Sequence, residues 1–240
     1  MSENTRSHYW RGFRNGAPFV FVVAPFGMLF GVVATEAGMR LLDVMSFSVL
    51  VIAGAAQFAA LQLMKDNAPV LIVLATALAV NMRMAMYSAS ITPHLGAQPL
   101  WKRAIMAYFL VDQTYAASIM EFERRPEMTL AQKTAYFFGV MSPVCLPWYG
   151  ATWVGAALGT KIPPEFALDF AVPITFLAII TPMLRTAAHV AAAVVSIVVA
   201  LAFAFLPYNL GLLIASVAAM VTGAQVEQWV ARRAARREFA

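Results

Sequence analysis

The stretch ALAVNMRMAMYS (residues 77–88) places an arginine, Arg83, in the middle of a long apolar segment. VLIVLATALAV precedes the arginine and MAMYSASI follows it, so the cation lies far from both ends of the segment. Arginine stays protonated at any physiological pH and cannot lower the cost of burial by losing its charge. A charge at the centre of a bilayer costs roughly 2.5–3.5 kcal/mol on the mildest scale, which indicates a functional residue with a partner.

The composition of the whole chain is that of a membrane protein. Its 240 residues are 61% hydrophobic and 12% charged, and the mean hydropathy is +0.72. A soluble domain carries about 25% charged residues. The apolar residues come in blocks of ~20, the length that a helix needs to cross the hydrocarbon core. Alternating segments of ~10 residues are absent, so we predict an all-α polytopic transmembrane helical bundle.

The apolar blocks predict about eight spans, and merging the last blocks differently gives about seven. The eight ranges are 18–36, 44–64, 69–92, 103–121, 134–158, 166–182, 186–206 and 209–229. We predict one integral membrane transport domain over residues 1–240. Residues 1–17 form a cytoplasmic or interfacial segment in this prediction, and residues 230–240 form a basic cytoplasmic tail.

Basic residues predict the orientation of these spans. With the amino terminus inside, most basic residues outside the spans lie on one side: Arg6, Arg11, Arg14, Lys65, Arg124, Arg125, Lys133, Arg185, Arg232, Arg233, Arg236 and Arg237. The opposite side holds Arg40, Lys102, Arg103 and Lys161. The excess of lysine and arginine on cytoplasmic loops then predicts that both termini are cytoplasmic.

Two segments in the two halves of the chain resemble each other. GAPFVFVVAPFGMLFGVVAT begins at Gly16, and GVMSPVCLPWYGATWVGAALGT begins at Gly139. Both duplication and chance similarity of apolar sequence account for this likeness. Under duplication the two halves enter the membrane from the same side, an arrangement known among transporters.

A second charge, Asp112, lies near the middle of the predicted fourth span. At 100° per residue, polar side chains share one face of each span: Arg83, Tyr87 and Ser90 on the third, and Tyr108, Asp112 and Tyr115 on the fourth. A second polar stripe of the third span, turned away from the first, consists of Ala77, Asn81, Ser88 and Thr92. Because both stripes must face protein or water, we expect the third span to pack inside the bundle. In one interpretation Arg83 and Asp112 form an ion pair that only holds two helices together. In the other they border a water-filled cavity, where Arg83 binds a carboxylate and Asp112 exchanges a proton.

Proline and glycine interrupt several spans, in APFGMLFG (24–31), AGAAQF (53–58) and PVCLPWYG (143–150). Broken transmembrane helices expose backbone groups that must line a cavity or a ligand, and transporters bind substrate at such breaks. The alternative is simple kinking or close packing. Gly27-xxx-Gly31 and Gly155-xxx-Gly159 match the small-xxx-small contact motif.

Signatures of other protein classes are missing from the sequence. There is no H-E-x-x-H, G-x-S-x-G or P-loop motif, and no carboxylates are spaced for a metal, so we expect no enzyme activity, cofactor or metal. The single cysteine, Cys145, excludes an internal disulfide and is expected to be buried and inert. The net charge of +5 lies at segment ends and does not predict nucleic-acid binding.

Four motifs together resemble the AzlC family, the large subunit of branched-chain amino-acid exporters. They are GAPFVFVVAPFGMLFGVVATEAG (16–38), VLVIAGAAQFAALQLM (49–64), LAVNMRMAMYSASITPHL (78–95) and FLVDQTYA (109–116). The second half of the chain is less distinctive. Met82 stands where the family usually has a leucine between its asparagine and arginine, which is a conservative change.

The resemblance implies a secondary transporter of the bacterial inner membrane that exports branched-chain or other hydrophobic amino acids, paired with a small AzlD-like membrane subunit. Together with the buried charges, it leads us to expect proton coupling, with Asp112 as the proton or ammonium site. The expected substrate-binding residues are Arg83, Asn81, Gln57, Tyr87, Pro25, Gly27 and Gly54. The alternatives are a passive channel and a non-transporting assembly subunit of a membrane complex.

Overall fold

The computed structural model describes residues 5–159, 184, 186–207 and 210–238, and every regular element in these ranges is helical. The α-helices are α1 (Thr5–Gly16), α2 (Val20–Glu36), α3 (Leu41–Leu50), α4 (Gly54–Lys65), α5 (Val70–Leu95), α6 (Leu100–Tyr108), α7 (Asp112–Arg124), α8 (Leu130–Gly159), α9 (Ala187–Ala202) and α10 (Leu210–Glu238). The chain divides into two compact units. The larger contains α1 to α4, α5 from Val73 onward, and α6 to α8. The smaller contains residues 66–72, α9 and α10.

A seam of glycines joins α1 and α2 to α8 in the larger unit. A methyl group on Gly12 would collide with the carbonyl of Tyr136, and one on Gly31 would collide with the carbonyl of Thr152. The backbones therefore touch, which only glycine allows. The small-xxx-small packing at residues 27–31 and 155–159 is confirmed, since Gly155 lies against the carbonyl of Met28 in the same way.

These contacts also fix the direction of the helices. Gly12 lies beside Tyr136, and Gly159 lies beside Val32, so α1–α2 and α8 run parallel. We call the end of the unit where α1 and α8 begin the first end, and the end where α2 and α8 finish the second end. The two similar segments that start at Gly16 and Gly139 thus run in the same direction, as their likeness predicts.

The chain turns back at the second end through Gly38, which has a positive φ of 86°. The amide of Gly38 donates to the carbonyl of Thr35 at 2.9 Å, and the amide of Met39 donates to that of Ala34 at 3.1 Å. This is a Schellman ending, in which a left-handed glycine satisfies the last carbonyls of a helix. It allows α3 to start directly beside the end of α2.

Helices α3 and α4 form a helical hairpin, hairpin A, with its tip at residues 51–53. The Gln57 side-chain amide donates to the Ser48 hydroxyl at 3.4 Å. Along a straight helix these residues would stand about 13 Å apart, too far for this contact. The ring of Phe58 on α4 lies 5.5 Å from the ring of Phe30 between centroids. Phe47 on α3 contacts the same Phe30 ring. Helix α4 therefore returns to the second end.

Helices α6 and α7 form a similar hairpin, hairpin B, with its tip at residues 109–111. Gln98, just before α6, donates to the Thr134 hydroxyl at 2.6 Å. Phe122, near the end of α7, lies 5.5 Å from His94 and 6.1 Å from Tyr136 between ring centroids. Both ends of hairpin B thus lie at the first end, beside the start of α8.

The predicted spans 44–64 and 103–121 are therefore wrong as single crossings. Each consists of two half-helices of 9 to 13 residues separated by a short non-helical tip. Half-helices of this length are too short to cross ~30 Å of hydrocarbon. In the part of the chain that is described, the helices long and apolar enough to cross are Thr5–Glu36, Val70–Leu95 and Leu210–Arg233.

Helix α5 runs from the second end to the first, because His94 near its end contacts Lys133 at 3.3 Å. The prediction that this helix packs inside the bundle is wrong for most of its surface. None of its most apolar stretch is buried, and Leu71, Leu78 and Met86 are exposed. The reason is that only the Arg83 stripe meets hairpin B in the contacts described, through Arg83 and Tyr87. Ser88 and Thr92, on another face, are exposed, and the Thr92 hydroxyl bonds within the helix to the Ser88 carbonyl at 2.6 Å.

The smaller unit contains α9 and α10, which pack against each other. The Thr186 hydroxyl caps α9 by accepting the amide of His189 at 3.2 Å. These helices correspond to the predicted spans 186–206 and 209–229, but α10 continues to Glu238 and includes most of the predicted basic tail. The predicted span 166–182 lies outside the described residues.

Candidate functional site

The deepest charges of the sequence form an ion pair at the tip of hairpin B. Nη1 of Arg83 on α5 lies 3.1 Å from Oδ2 of Asp112, the first residue of α7. The side chains are 32% and 40% exposed, so the pair is reachable from outside the protein. A charge pair at this distance satisfies part of each group and leaves the rest available.

Two tyrosines extend this pair along the same faces of α5 and α7. The rings of Tyr87 and Tyr115 stack at 4.3 Å with an angle of 8° between their planes. The Tyr115 hydroxyl lies 2.8 Å from the Ser90 hydroxyl. Tyr87 also interacts electrostatically with Asp112 and Arg83. The stripe predicted on the third span therefore faces a polar stripe of hairpin B, as helical spacing requires.

Two buried atoms of the ion pair, Nε of Arg83 and Oδ1 of Asp112, have no hydrogen-bond partner among the described residues. Oδ1 of Asn81, on another face of α5, has none either. A buried polar atom without a partner costs about 1–3 kcal/mol. The donor and the acceptor within the pair fit a small ligand that carries both an acceptor group and a donor group.

The start of a helix strengthens the site. Val111 is extended, and α7 begins at Asp112, so the free amides of its first turn lie at the tip of hairpin B. The helix dipole places partial positive charge there, which stabilises the Asp112 carboxylate and favours any further anion. Arg83 adds a full positive charge at the same point.

Gln57 and Gly54 lie on hairpin A. Among the described residues, no contact joins either of them to Arg83. Gln57 is fully buried, and its side-chain oxygen has no partner within the described ranges. Ser48, which accepts from Gln57, also accepts from the Trp148 indole at 2.8 Å. A methyl group on Gly54 would lie 2.6 Å from a ring carbon of Phe26.

Gly27 and Pro25 have different surroundings on α2. A methyl group on Gly27 would lie 3.1 Å from the Trp148 ring, so this glycine allows close packing of α2 on α8. Pro25 is exposed within α2. Of the predicted site residues, the structure thus brings together Arg83, Tyr87 and Asp112, and it places Gly27 and Gly54 around Trp148.

The sequence did not predict the contact between the two hairpin tips. The Tyr108 hydroxyl donates to the carbonyl of Val49 at the end of α3, and it lies 2.8 Å from the Tyr149 hydroxyl of α8. Helix α6 ends at Tyr108, and α7 begins at Asp112. The prediction that Tyr108 and Asp112 share one helix face is therefore wrong. The signal was the tyrosine itself, since a phenol in an apolar segment needs a hydrogen-bond partner.

Glu121 is a buried charge that the sequence did not predict, because it lies at the end of a predicted span. Its carboxylate lies 3.3 Å from Nε of Arg125 and 3.8 Å from Nη1 of Arg11. It is 7% exposed and ties α1 to α7 at the first end. Cys145 is buried, as predicted. Within the described ranges, no three acidic, histidine or cysteine side chains are grouped to hold a metal.

Comparison with known proteins assigns the chain to a family. Residues 18–162 match the family described as AzlC protein, a range that contains both hairpins and the Arg83–Asp112 pair. The chain belongs to the AzlC family. The resemblance of the four motifs is therefore confirmed.

AzlC relatives are membrane proteins. The chain is 30% identical to an uncharacterized membrane protein of Archaeoglobus fulgidus over 190 residues, which cover 78% of the chain and 80% of the relative. It is 26% identical to the inner membrane protein YgaZ of Escherichia coli over 176 residues, 70% of each chain. No solved structure matches the chain. The protein is thus a helical membrane protein of the AzlC family with a transport-related role.

Proposed function

We propose that the protein is a secondary transporter that exports branched-chain or other hydrophobic amino acids. The observation that carries this proposal is the Arg83–Asp112 pair at the tip of a helical hairpin, with an unpartnered donor and acceptor beside it. Transporters bind substrate at such helix interruptions near the centre of the membrane. The guanidinium and the first turn of α7 suit an α-carboxylate, and the Asp112 carboxylate suits an α-ammonium group.

Asp112 is the proposed site of proton coupling. Its carboxylate lies 3.1 Å from the Arg83 guanidinium. The ammonium group of a substrate and a proton compete for this carboxylate, because each neutralises the same charge. Binding of substrate therefore releases the proton, and binding of a proton favours release of the substrate. Substrate and proton thereby exchange at one carboxylate.

The basic residues support the proposal that the first end is cytoplasmic. With the hairpins assigned, the first end holds Arg6, Arg11, Arg14, Lys102, Arg103, Arg124, Arg125 and Lys133, and the second end holds Arg40 and Lys65. The excess of lysine and arginine marks the cytoplasmic side of membrane proteins. The amino terminus is then cytoplasmic, and export proceeds from the first end to the second.

Labelled-leucine counterflow in reconstituted vesicles tests the transport activity. Arg83→Gln removes the cation, and loss of a charged hydrogen bond of about 2 kcal/mol predicts a roughly thirtyfold lower affinity for leucine. Arg40→Gln is the matched control, because Arg40 pairs with Asp43 at 2.8 Å outside the site and is highly exposed. Equal counterflow by wild type and Arg83→Gln would contradict the assigned binding residue.

The same vesicles separate the alternative functions. A passive channel conducts without saturation, whereas a carrier saturates and exchanges labelled for unlabelled leucine. Recovery of unchanged leucine on the other side excludes an enzyme that alters it. A non-transporting assembly subunit gives no leucine flux when it is reconstituted alone. If flux appears only after co-reconstitution with a small AzlD-like membrane subunit, transport is assigned to the pair.

A further inference from the structure

The two hairpins belong to a repeated unit of one long helix followed by one helical hairpin. The long helices end at Glu36 and Leu95, the hairpins begin at Leu41 and Leu100, and they end at Lys65 and Arg124. Each pair of positions is separated by the same number of residues, 59 (36 to 95, 41 to 100, 65 to 124). Both tips also span three residues, 51–53 and 109–111. The tips are 58 residues apart (51 to 109), one residue fewer than the outer boundaries. This agreement to within one residue indicates one structural unit that occurs twice.

The two copies point in opposite directions. Helix α2 runs from the first end to the second, and hairpin A enters from the second end. Helix α5 runs from the second end to the first, and hairpin B enters from the first end. The copies are therefore related as an inverted repeat, the symmetry by which many secondary transporters offer one site to two sides of the membrane.

The tips of the two hairpins meet at an exposed place in the larger unit. The Tyr108 hydroxyl, at the end of α6, donates to the Val49 carbonyl at the end of α3. Tyr149 of α8 approaches the same hydroxyl to 2.8 Å and so ties the meeting point to the long helices. One hydrogen bond thus joins the hairpin that comes from one end to the hairpin that comes from the other.

The tips differ in how tightly they are packed. Gly54, the first residue after the tip of hairpin A, lies against the rings of Phe26 and Trp148, where a methyl group would stand 2.6 Å and 2.9 Å from ring carbons. Across the junction, the tip of hairpin B carries the partly exposed Arg83–Asp112 pair. Hairpin A is closed against the long helices in this structure, and the charged pair of hairpin B is accessible.

We infer that the hairpins are an inverted pair of gates around the Arg83–Asp112 site, and that the Tyr108–Val49 hydrogen bond holds hairpin A closed. This inference rests on the proposed transport of a small zwitterion. Hairpin A opens the site toward the second end, and hairpin B opens it toward the first end. Tyr108 is a positioning residue, because it acts on the substrate only through the hairpin that it holds.

Thiol labelling of the full-length protein tests the gates without measuring transport. Cys145→Ala provides a background without a native thiol, and Ile52→Cys and Phe109→Cys each place one thiol in a tip. A membrane-impermeant maleimide is added to right-side-out and to inverted membrane vesicles. The Ile52→Cys thiol is expected to react from the second-end side, and the Phe109→Cys thiol from the first-end side.

Tyr108→Phe keeps the ring and removes the hydroxyl that joins the tips. The expected result is a labelling rate of the Ile52→Cys thiol that rises by about fivefold, the factor that loss of one ordinary hydrogen bond gives. Tyr9→Phe is the matched control, because its hydroxyl also makes one interhelical contact, to Ser142 at 2.8 Å, but far from the tips. Gly54→Ala should raise the same rate, since the added methyl group pushes hairpin A off Phe26 and Trp148.

Two results would overturn the inference. One is labelling of both tip thiols from the same side of the membrane, and the other is an unchanged Ile52→Cys rate in both Tyr108→Phe and Gly54→Ala. A loss of folding is recognised because it would expose both thiols from both sides. If the tip thiols are labelled as expected but leucine counterflow is absent, the proposed function is overturned and the inference about the two hairpins is not contradicted.

Discussion

At the scale of single residues, the free-energy cost of a charge in an apolar segment governs the pairing of Arg83 with Asp112. A cation and a carboxylate in apolar segments are costly, so their pairing could be expected from energetics alone, and Arg83 and Asp112 lie 3.1 Å apart. The stacking partner of Tyr87 also follows from helical spacing. The role of Tyr108 could not be predicted, because its partner is a backbone carbonyl, which every residue has.

Asp112→Asn tests proton coupling at this scale. Asparagine keeps the size of the side chain and one acceptor oxygen, but its amide cannot take up a proton near neutral pH. We expect leucine counterflow to persist and its acceleration by a pH gradient to disappear. Flux measured with and without the gradient checks this, with Asp43→Asn, the exposed partner of Arg40, as control. A gradient response equal to that of wild type would exclude Asp112 as the proton site.

At the scale of elements, the sequence predicted the seam and missed the hairpins. The glycine spacing of α2 and α8 is a direct signal for close helix packing, because a methyl group has no room there. An apolar block of about 20 residues, in contrast, has the same composition whether it crosses once or turns back at its centre. The deciding contacts, such as Gln57 with Ser48, depend on tertiary structure.

Gly155→Ala tests the seam between α2 and α8. The added methyl group collides with the Met28 carbonyl, and overpacking of this kind costs about 1–3 kcal/mol. We expect a lower melting temperature of the purified protein in detergent. Gly150→Ala, on the same helix, is the matched control, because its methyl group meets nothing within 4 Å and alanine favours the helix. Equal melting temperatures of the two variants would show that the helices can separate at no cost.

At the scale of the whole molecule, the hairpins change which loops share a side of the membrane. Eight straight crossings would put residues 65–69 on the same side as residues 123–128 and opposite residues 92–99. In the structure, the end of α5 and the end of α7 lie together, as the contact of His94 with Phe122 shows. The composition predicted a helical membrane protein, but the sidedness of its loops required the contacts.

Topology mapping distinguishes the two arrangements. The three variants Ala97→Cys, Glu127→Cys and Asp66→Cys are made in the Cys145→Ala background. Ala97→Cys and Glu127→Cys should react with an impermeant maleimide from the same side, because both ends of hairpin B lie at the first end. Asp66→Cys should react from the other side. Straight crossings predict instead that Asp66→Cys and Glu127→Cys react together. All three positions lie in short connections at the ends of helices.

The shortness of the half-helices has a consequence for biosynthesis. Helices of 9 to 13 residues are too short to be inserted across the membrane one at a time, since a spanning helix needs about 20 apolar residues. We therefore expect the long helices that flank them to be inserted first, and each short pair to fold against those helices afterwards.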